Sequence, residues 1–232
     1  MRRARKWGAV AVTGAVAAMM LAVPTVANAG AGTACSINGT PGNDVLNGTG
    51  GNDVICGYGG NDVITGGGGN DILRGGKGND RVDGGVGDDV VKGGGGRDRL
   101  FGGQGDDRMR GGSRRDVVQG NQGHDIIRGN AGNDTVAGGI GDDMLRGGPD
   151  NDTVRGGNGA DTLIGKTGND TLSGGVGDDS IVGGKGLDLL RGRGDNDTLD
   201  AVDGAGGDTA IGGHGNDTCD SDPGDTVKSC EP

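Results

Sequence analysis

Eighteen aspartates recur every nine residues without a slip: Asp44, Asp53, Asp62, Asp71, Asp80, Asp89, Asp98, Asp107, Asp116, Asp125, Asp134, Asp143, Asp152, Asp161, Asp170, Asp179, Asp188 and Asp197. After two extra residues, Asp208 and Asp217 continue the series. Alone, any one of these carboxylates would be read as a turn cap accepting backbone N–H bonds. In register, their charges accumulate. Stacked at the distance between neighbouring strands, two carboxylates repel by about 1 kcal/mol even in bulk water, and a cation between them turns repulsion into attachment. Calcium suits such a file best, because it takes six to eight oxygens and accepts carboxylates together with backbone carbonyls. Magnesium demands a strict octahedron with retained waters, and zinc prefers nitrogen or sulfur.

The elements that must position these groups follow from the rest of each nonapeptide. Every unit opens on a glycine, from Gly39 to Gly192, and carries an aliphatic side chain at position eight, from Leu46 to Leu199. Glycine at positions one and four, with Asn or Asp often at position five, suits tight turns and φ > 0. Positions seven to nine, such as Val63-Ile64-Thr65, are β-branched-rich and predict a very short strand with position eight inside. Position nine often holds a solvent-seeking cation, as at Arg74, Lys92, Arg110 and Arg128. One turn plus one strand reverses the chain, so two units make a coil. Asp44, Asp62 and Asp80 then line one edge of the stack, and Asp53, Asp71 and Asp89 the other.

The 60 glycines and 1% aromatic residues would suit a disordered or collagen-like chain, but a period of nine with five prolines excludes collagen. One aliphatic residue per unit is a small core for so long a fold, so something outside the chain is expected to help it fold. Residues 1–29 read as a secretory signal with a basic start, an apolar run and Ala27-Asn28-Ala29 as cleavage site. Its removal takes Arg2, Arg3, Arg5 and Lys6 and deepens the net charge of −11. Net charge then disfavours nucleic acid and anionic membranes as partners and favours cations. Residues 30–38 form a leader, residues 39–220 the repeat, and residues 221–232 a C-terminal cap, as a stack with exposed ends requires. Four cysteines in a secreted chain favour disulfides. Of the three possible pairings, locality selects Cys35–Cys56 and Cys219–Cys230.

The unit Gly75-Gly76-Lys77-Gly78-Asn79-Asp80-Arg81-Val82-Asp83 and its companions resemble the repeats-in-toxin (RTX) calcium nonapeptide. The resemblance spans about residues 39–220. It implies an all-β, right-handed parallel β-roll with two nonapeptides per coil. It also implies calcium held between turns i and i+2 by position-six aspartates and turn carbonyls, with at most about 16 ions in the regular stretch. Position four departs from glycine at Arg114, Asp150 and Asp195, where binding is expected to weaken. The chain most resembles small secreted bacterial proteins made of the repeat alone.

No catalytic constellation accompanies the repeat. His124 and His214 fall in turns without a paired nucleophile, and Gly165-Lys166-Thr167 lacks the glycine spacing and flanking elements of a phosphate loop. The expectation is a secreted, extracellular, non-enzymatic protein that folds on binding calcium. The alternative is an extracellular structural or adhesive spacer, with a cell-surface or matrix partner, built on the same calcium-stiffened roll.

Overall fold

The computed structural model describes residues 34–230, so the signal read over residues 1–29 lies outside the described residues. Among the described residues there is no helix, and twenty-two strands follow one another along the chain. They begin with β1 (Ile37–Asn38), β2 (Val45–Asn47) and β3 (Val54–Gly59), and recur at nine-residue intervals through β18 (Leu189–Gly194). β19 (Thr198–Asp200), β20 (Thr209–His214), β21 (Thr218–Asp220) and β22 (Thr226–Lys228) complete the series. Odd-numbered strands form one parallel sheet of eleven and even-numbered strands a second sheet of eleven. Each strand pairs with the one two places on, so two nonapeptides make one coil and the chain is a parallel β-solenoid of eleven coils.

The core is a single file of aliphatic side chains from each sheet. Position eight, from Ile55 and Ile64 through Leu190 and Leu199, is at most 1% exposed, whereas positions seven and nine face outward. The alternation is that of a strand with one face buried. Cys56 and Ser173 are the position-nine side chains that are buried. Cys56 bonds Cys35 across β1 and β3, and Cys219 bonds Cys230 beyond β22, so a disulfide staples each end of the stack.

Two features differ from the expectation for each unit. The strands are six residues long from β3 to β18, covering positions seven to nine and then one to three of the next unit. Pairing runs on through the glycines because each coil repeats the one before it, which places every backbone donor beside an equivalent acceptor. Between Val63–Gly68 and Arg81–Val86, for example, Val63 to Thr65 pair with Arg81 to Asp83, and Gly67 and Gly68 pair with Gly85 and Val86. Only position one is skipped, and only positions four to six are turn.

The second difference concerns position one, where glycine is required for room rather than for φ > 0. Positive φ falls at positions two and four, as at Gly67 and Gly69. Position one points inward, and a Cβ on Gly111 would stand 2.6 Å from Asp116 Oδ2 and 2.7 Å from the Gly129 carbonyl oxygen.

Residues 221–228 also do more than leave the pattern. They add β22, which pairs with β20, and they bring Asp225 into line before it.

Candidate metal centre

The six-residue pairing and three-residue turn place each position-six aspartate where the chain swings from one sheet to the other. All eighteen aspartates from Asp62 to Asp217 are buried, at most 3% exposed, while Asp44 and Asp53 at the first coil are half-buried. Their backbone is fully used: in the regular stack each carbonyl accepts the N–H of position seven one coil on, as from Val63 to Asp44 at 2.9 Å.

The side chains stack in two columns. The N–H of Asp44 donates to Asp62 Oδ1 at 2.9 Å, that of Asp62 to Asp80 Oδ1 at 2.8 Å, and that of Asp98 to Asp116 Oδ1 at 2.8 Å. The other column repeats the pattern from Asp53 and Asp71 onward, with bonds of 2.7 Å at both. The two-residue insertion is absorbed without breaking either file: Asp188 donates to Asp208 and Asp197 to Asp217, each across twenty residues. Turn capping is thus part of what these aspartates do, through Oδ1 alone.

Oδ2 is left over. From Asp62 to Asp217 it is buried with no hydrogen-bond partner in any of the eighteen. A buried carboxylate oxygen without a donor is costly, and its surroundings make it worse. At Gly111 the Asp116 Oδ2 and the Gly129 carbonyl oxygen flank the same interior point, two acceptors with no donor between them. Gly75 shows the same pairing of Asp80 Oδ2 with the Gly93 carbonyl oxygen. A small cradle of one carboxylate oxygen and one carbonyl oxygen therefore recurs along each column.

The electrostatics agree. Burial raises the carboxyl pKa above the ordinary 3.8 along the whole interior of the stack, partly offset by the N–H bond to Oδ1. Asp89 and Asp98 stand at about 6, Asp107, Asp116, Asp143 and Asp179 at about 7, and Asp152 at about 8. Neighbouring carboxylates of the column add to the rise, as Asp98 and Asp134 do for Asp116. These groups hold their charge poorly unless a cation or a proton joins them.

Three of the four column ends are built differently, Asp217 alone keeping an unpartnered Oδ2. At the first coil, Asp44 Oδ2 accepts from the Thr40 N–H and hydroxyl at 2.6 and 2.9 Å, and Asp53 Oδ2 from those of Thr49 at 2.7 and 2.8 Å. At the last coil, Asp225 Oδ1 accepts from Gly207 and Asp208, and its Oδ2 accepts from Asp222. Burial would raise the Asp225 pKa, but the N–H donors from Asp222, Asp208 and Gly207 outweigh it and hold the carboxyl below 3.8. Asp225 was missed in the sequence because a one-residue deletion breaks its spacing from Asp217. The Thr-x-x-x-Asp spacing at Thr40 and Thr49 was the available signal for the capped first coil.

A second ladder lies outside the first. Position-five side chains accept the N–H of position five in the next coil, as Asn61 does from Asn79 and Asp88 from Asp106. His124 joins this ladder, its Nδ1 accepting from the Asp142 N–H at 2.9 Å. The departures at position four are accommodated too. Arg114, Asp150 and Asp195 take φ of 76°, 78° and 72°, and the Asp150 and Asp195 carboxylates accept the N–H of Gly132 and Gly177 in the preceding coil.

Among the described residues no three acidic, His or Cys side chains gather around one point. A metal held here would therefore take one or two carboxylate oxygens and complete its shell with backbone carbonyls. That donor set, oxygen throughout and largely neutral, fits a hard cation of calcium's kind rather than zinc.

Fold and site together define a parallel β-roll repeat protein with glycine-rich turns and two files of buried carboxylates, most of them bonded through one oxygen only. The RTX calcium-binding nonapeptide repeat matches residues 36–64, 57–91, 83–113, 110–145, 137–172, 173–205 and 200–227. The chain belongs to this family, and its repeats are of the calcium-binding type. No curated protein matches the chain.

Proposed function

We propose that this chain is a secreted, non-enzymatic calcium-binding protein whose roll folds on taking up the ion. The observation that carries this reading is the file of eighteen buried Oδ2 atoms without a donor. In the proposal, Asp62 to Asp217 are the side-chain ligands, joined by carbonyls such as that of Gly129. Asp44 and Asp53, closed by Thr40 and Thr49, contribute less. Bound calcium supplies positive charge to oxygens that otherwise repel. The chain supplies the rest: parallel pairing sets the column spacing, position-one glycine leaves the cradle open, and the Oδ1 bond fixes each carboxylate's rotation.

Folding on binding follows because the metal-free roll buries ionised carboxylates with half their bonds unmade, so the binding free energy becomes folding free energy. The two disulfides favour an oxidising compartment and so support secretion. Far-UV circular dichroism of the chain during a calcium titration, with magnesium as control, tests the proposal. A steep rise of β signal specific to calcium is expected. A spectrum indifferent to calcium returns the aspartates to turn capping.

A second reading, an extracellular spacer or matrix component, is favoured by the unbroken eleven-coil stack stapled at both ends. Fractionation of the cell surface and culture medium separates the two. A freely soluble monomer in the medium counts against the spacer.

A further inference from the structure

Among the described residues the acidic side chains on strands are Asp83 of the even-numbered sheet and Asp200 and Asp220 at the C-terminal end of the odd-numbered one. From β3 to β17 the odd-numbered strands carry nine Lys and Arg and no Asp or Glu. Five of the nine form one ladder at position nine, Arg74, Lys92, Arg110, Arg128 and Arg146, each directly opposite the next in register. Position nine of the even sheet runs Thr65, Asp83, Phe101, Gln119, Ala137 and Arg155 over the corresponding coils. The ladder is thus a property of one face and not of the repeat.

Like charges facing one another on adjacent strands destabilise a sheet; Arg74 has partners near the first disulfide, whereas among the described residues no acidic side chain pairs with Lys92, Arg110, Arg128 or Arg146. The ion pairs Arg81–Asp83 and His124–Asp142 both lie off this face. Lys92, Arg110 and Arg128 are exposed and Arg146 half-buried. A shallow groove of about 350 Å³ runs along the ladder, lined by Lys92, Arg108, Arg110 and Arg128 together with Val90, Met109 and Ile126.

The geometry selects the partner. The cations recur at about the strand spacing of 4.8 Å along a straight line, which suits a linear polymer with one acidic group per repeating ring. The groove mixes cations with aliphatic side chains, and Tyr58 is the one aromatic side chain on these strands, so a stacking platform for bases is missing. The apolar faces of sugar rings suit Val90 and Ile126. The strip is also one short strand wide and bordered by acidic turns, so a bulky duplex would meet like charge at its rims.

We propose that the outer face of the odd-numbered sheet binds a linear acidic polysaccharide, with Lys92, Arg110, Arg128 and Arg146 meeting its carboxylate or sulfate groups. This rests on the calcium reading only in that the ladder exists when the strands are in register.

The test uses the full chain in calcium and a fluorescent heparin dodecasaccharide read by anisotropy. K92Q/R110Q/R128Q/R146Q should weaken binding at least about tenfold and flatten the dependence of log Kd on log salt, as lost counterion release requires. R97Q/R99Q/R155Q/R191Q, which removes the same charge elsewhere, should stay within about twofold. Unchanged binding by the first variant overturns the proposal, as does an equal loss in both. Tighter binding of single-stranded DNA of matched charge overturns the polysaccharide assignment. Circular dichroism of the same samples separates the two readings. A chain that folds with calcium but ignores heparin refutes the face alone, and heparin binding by a chain whose fold ignores calcium refutes the calcium reading alone.

Discussion

Asp116→Asn should change sign with calcium. The asparagine keeps Oδ1, so the N–H bond from Asp98 survives, and it replaces the orphaned Oδ2 with an N–H donor beside the Gly129 carbonyl. Without metal the substitution therefore removes a buried charge and places a donor on the side of that carbonyl. An Asp116 carboxyl displaced from 3.8 to about 7 costs its ionised, folded form about 4 kcal/mol. Local relaxation brings the expected gain of the variant to about 2 kcal/mol.

With calcium the same change removes a ligand. Loss of one site filled at a hundred times its Kd costs about 2.7 kcal/mol. The assay is urea unfolding followed by circular dichroism at mildly alkaline pH, once with chelator and a stabilising osmolyte and once with saturating calcium. Asp116→Asn should lie above the parent in the first condition and below it in the second. Asp44→Asn, whose Oδ2 is already served by Thr40, should show neither effect strongly. If Asp116→Asn is equally destabilising in both conditions, the aspartates are caps and the metal reasoning is refuted.

Three further outcomes follow from the same geometry. Because burial raises the column's carboxyl pKa values, to about 8 at Asp152 and about 6 at Asp89, the folded state binds more protons than the unfolded one. Metal-free stability should then be greatest below the ordinary aspartate range and fall as pH rises through 6 to 8, while calcium affinity rises over the same window. Circular dichroism and calcium titrations against pH check both signs. Gly111→Ala puts a Cβ between Asp116 Oδ2 and the Gly129 carbonyl, and should cost about 1 to 3 kcal/mol by overpacking and lower the calcium stoichiometry measured by equilibrium dialysis. Cys219→Ser opens a link across eleven residues, and should cost about 2 to 3 kcal/mol with faster hydrogen exchange confined to β20 to β22.

The coil, the two columns and the buried file at position eight were legible because each rests on a period. Side-chain alternation in a strand fixes which face Leu145 occupies, and a nine-residue repeat fixes where Asp116 stands relative to Asp98 and Asp134. Strand length was not legible. Glycine has a poor intrinsic preference for strands, yet Gly67 and Gly68 pair because identical backbone lies beside them in the next coil, a cooperative effect that no single unit contains. The reason for glycine at position one was hidden for the same cause, since the obstacle to a Cβ on Gly111 comes partly from Gly129, eighteen residues on. Asp225 escaped because spacing was the only guide, and the stack tolerates a deletion there that the period does not.

The contrast between the interior and the ends of the columns bears on what the carboxylates are for. If capping were their whole purpose, the cheapest arrangement would be the one found at Asp225, where both oxygens accept N–H bonds and the pKa falls. Position two could serve the same end in every unit, since Thr40 and Thr49 each close the Oδ2 of their own aspartate with two bonds. Beyond Thr49 no unit does so, and the N–H that reaches Asp44 from Thr40 is turned elsewhere at Gly67, whose φ is 107°. Local donors thus close the carboxylates at three of the four column ends, Asp44, Asp53 and Asp225, and leave open those of the interior together with Asp217 at the fourth. An open oxygen facing the carbonyl of the next coil is where a bridging cation would gain most, and the interior coils keep that oxygen free of local donors.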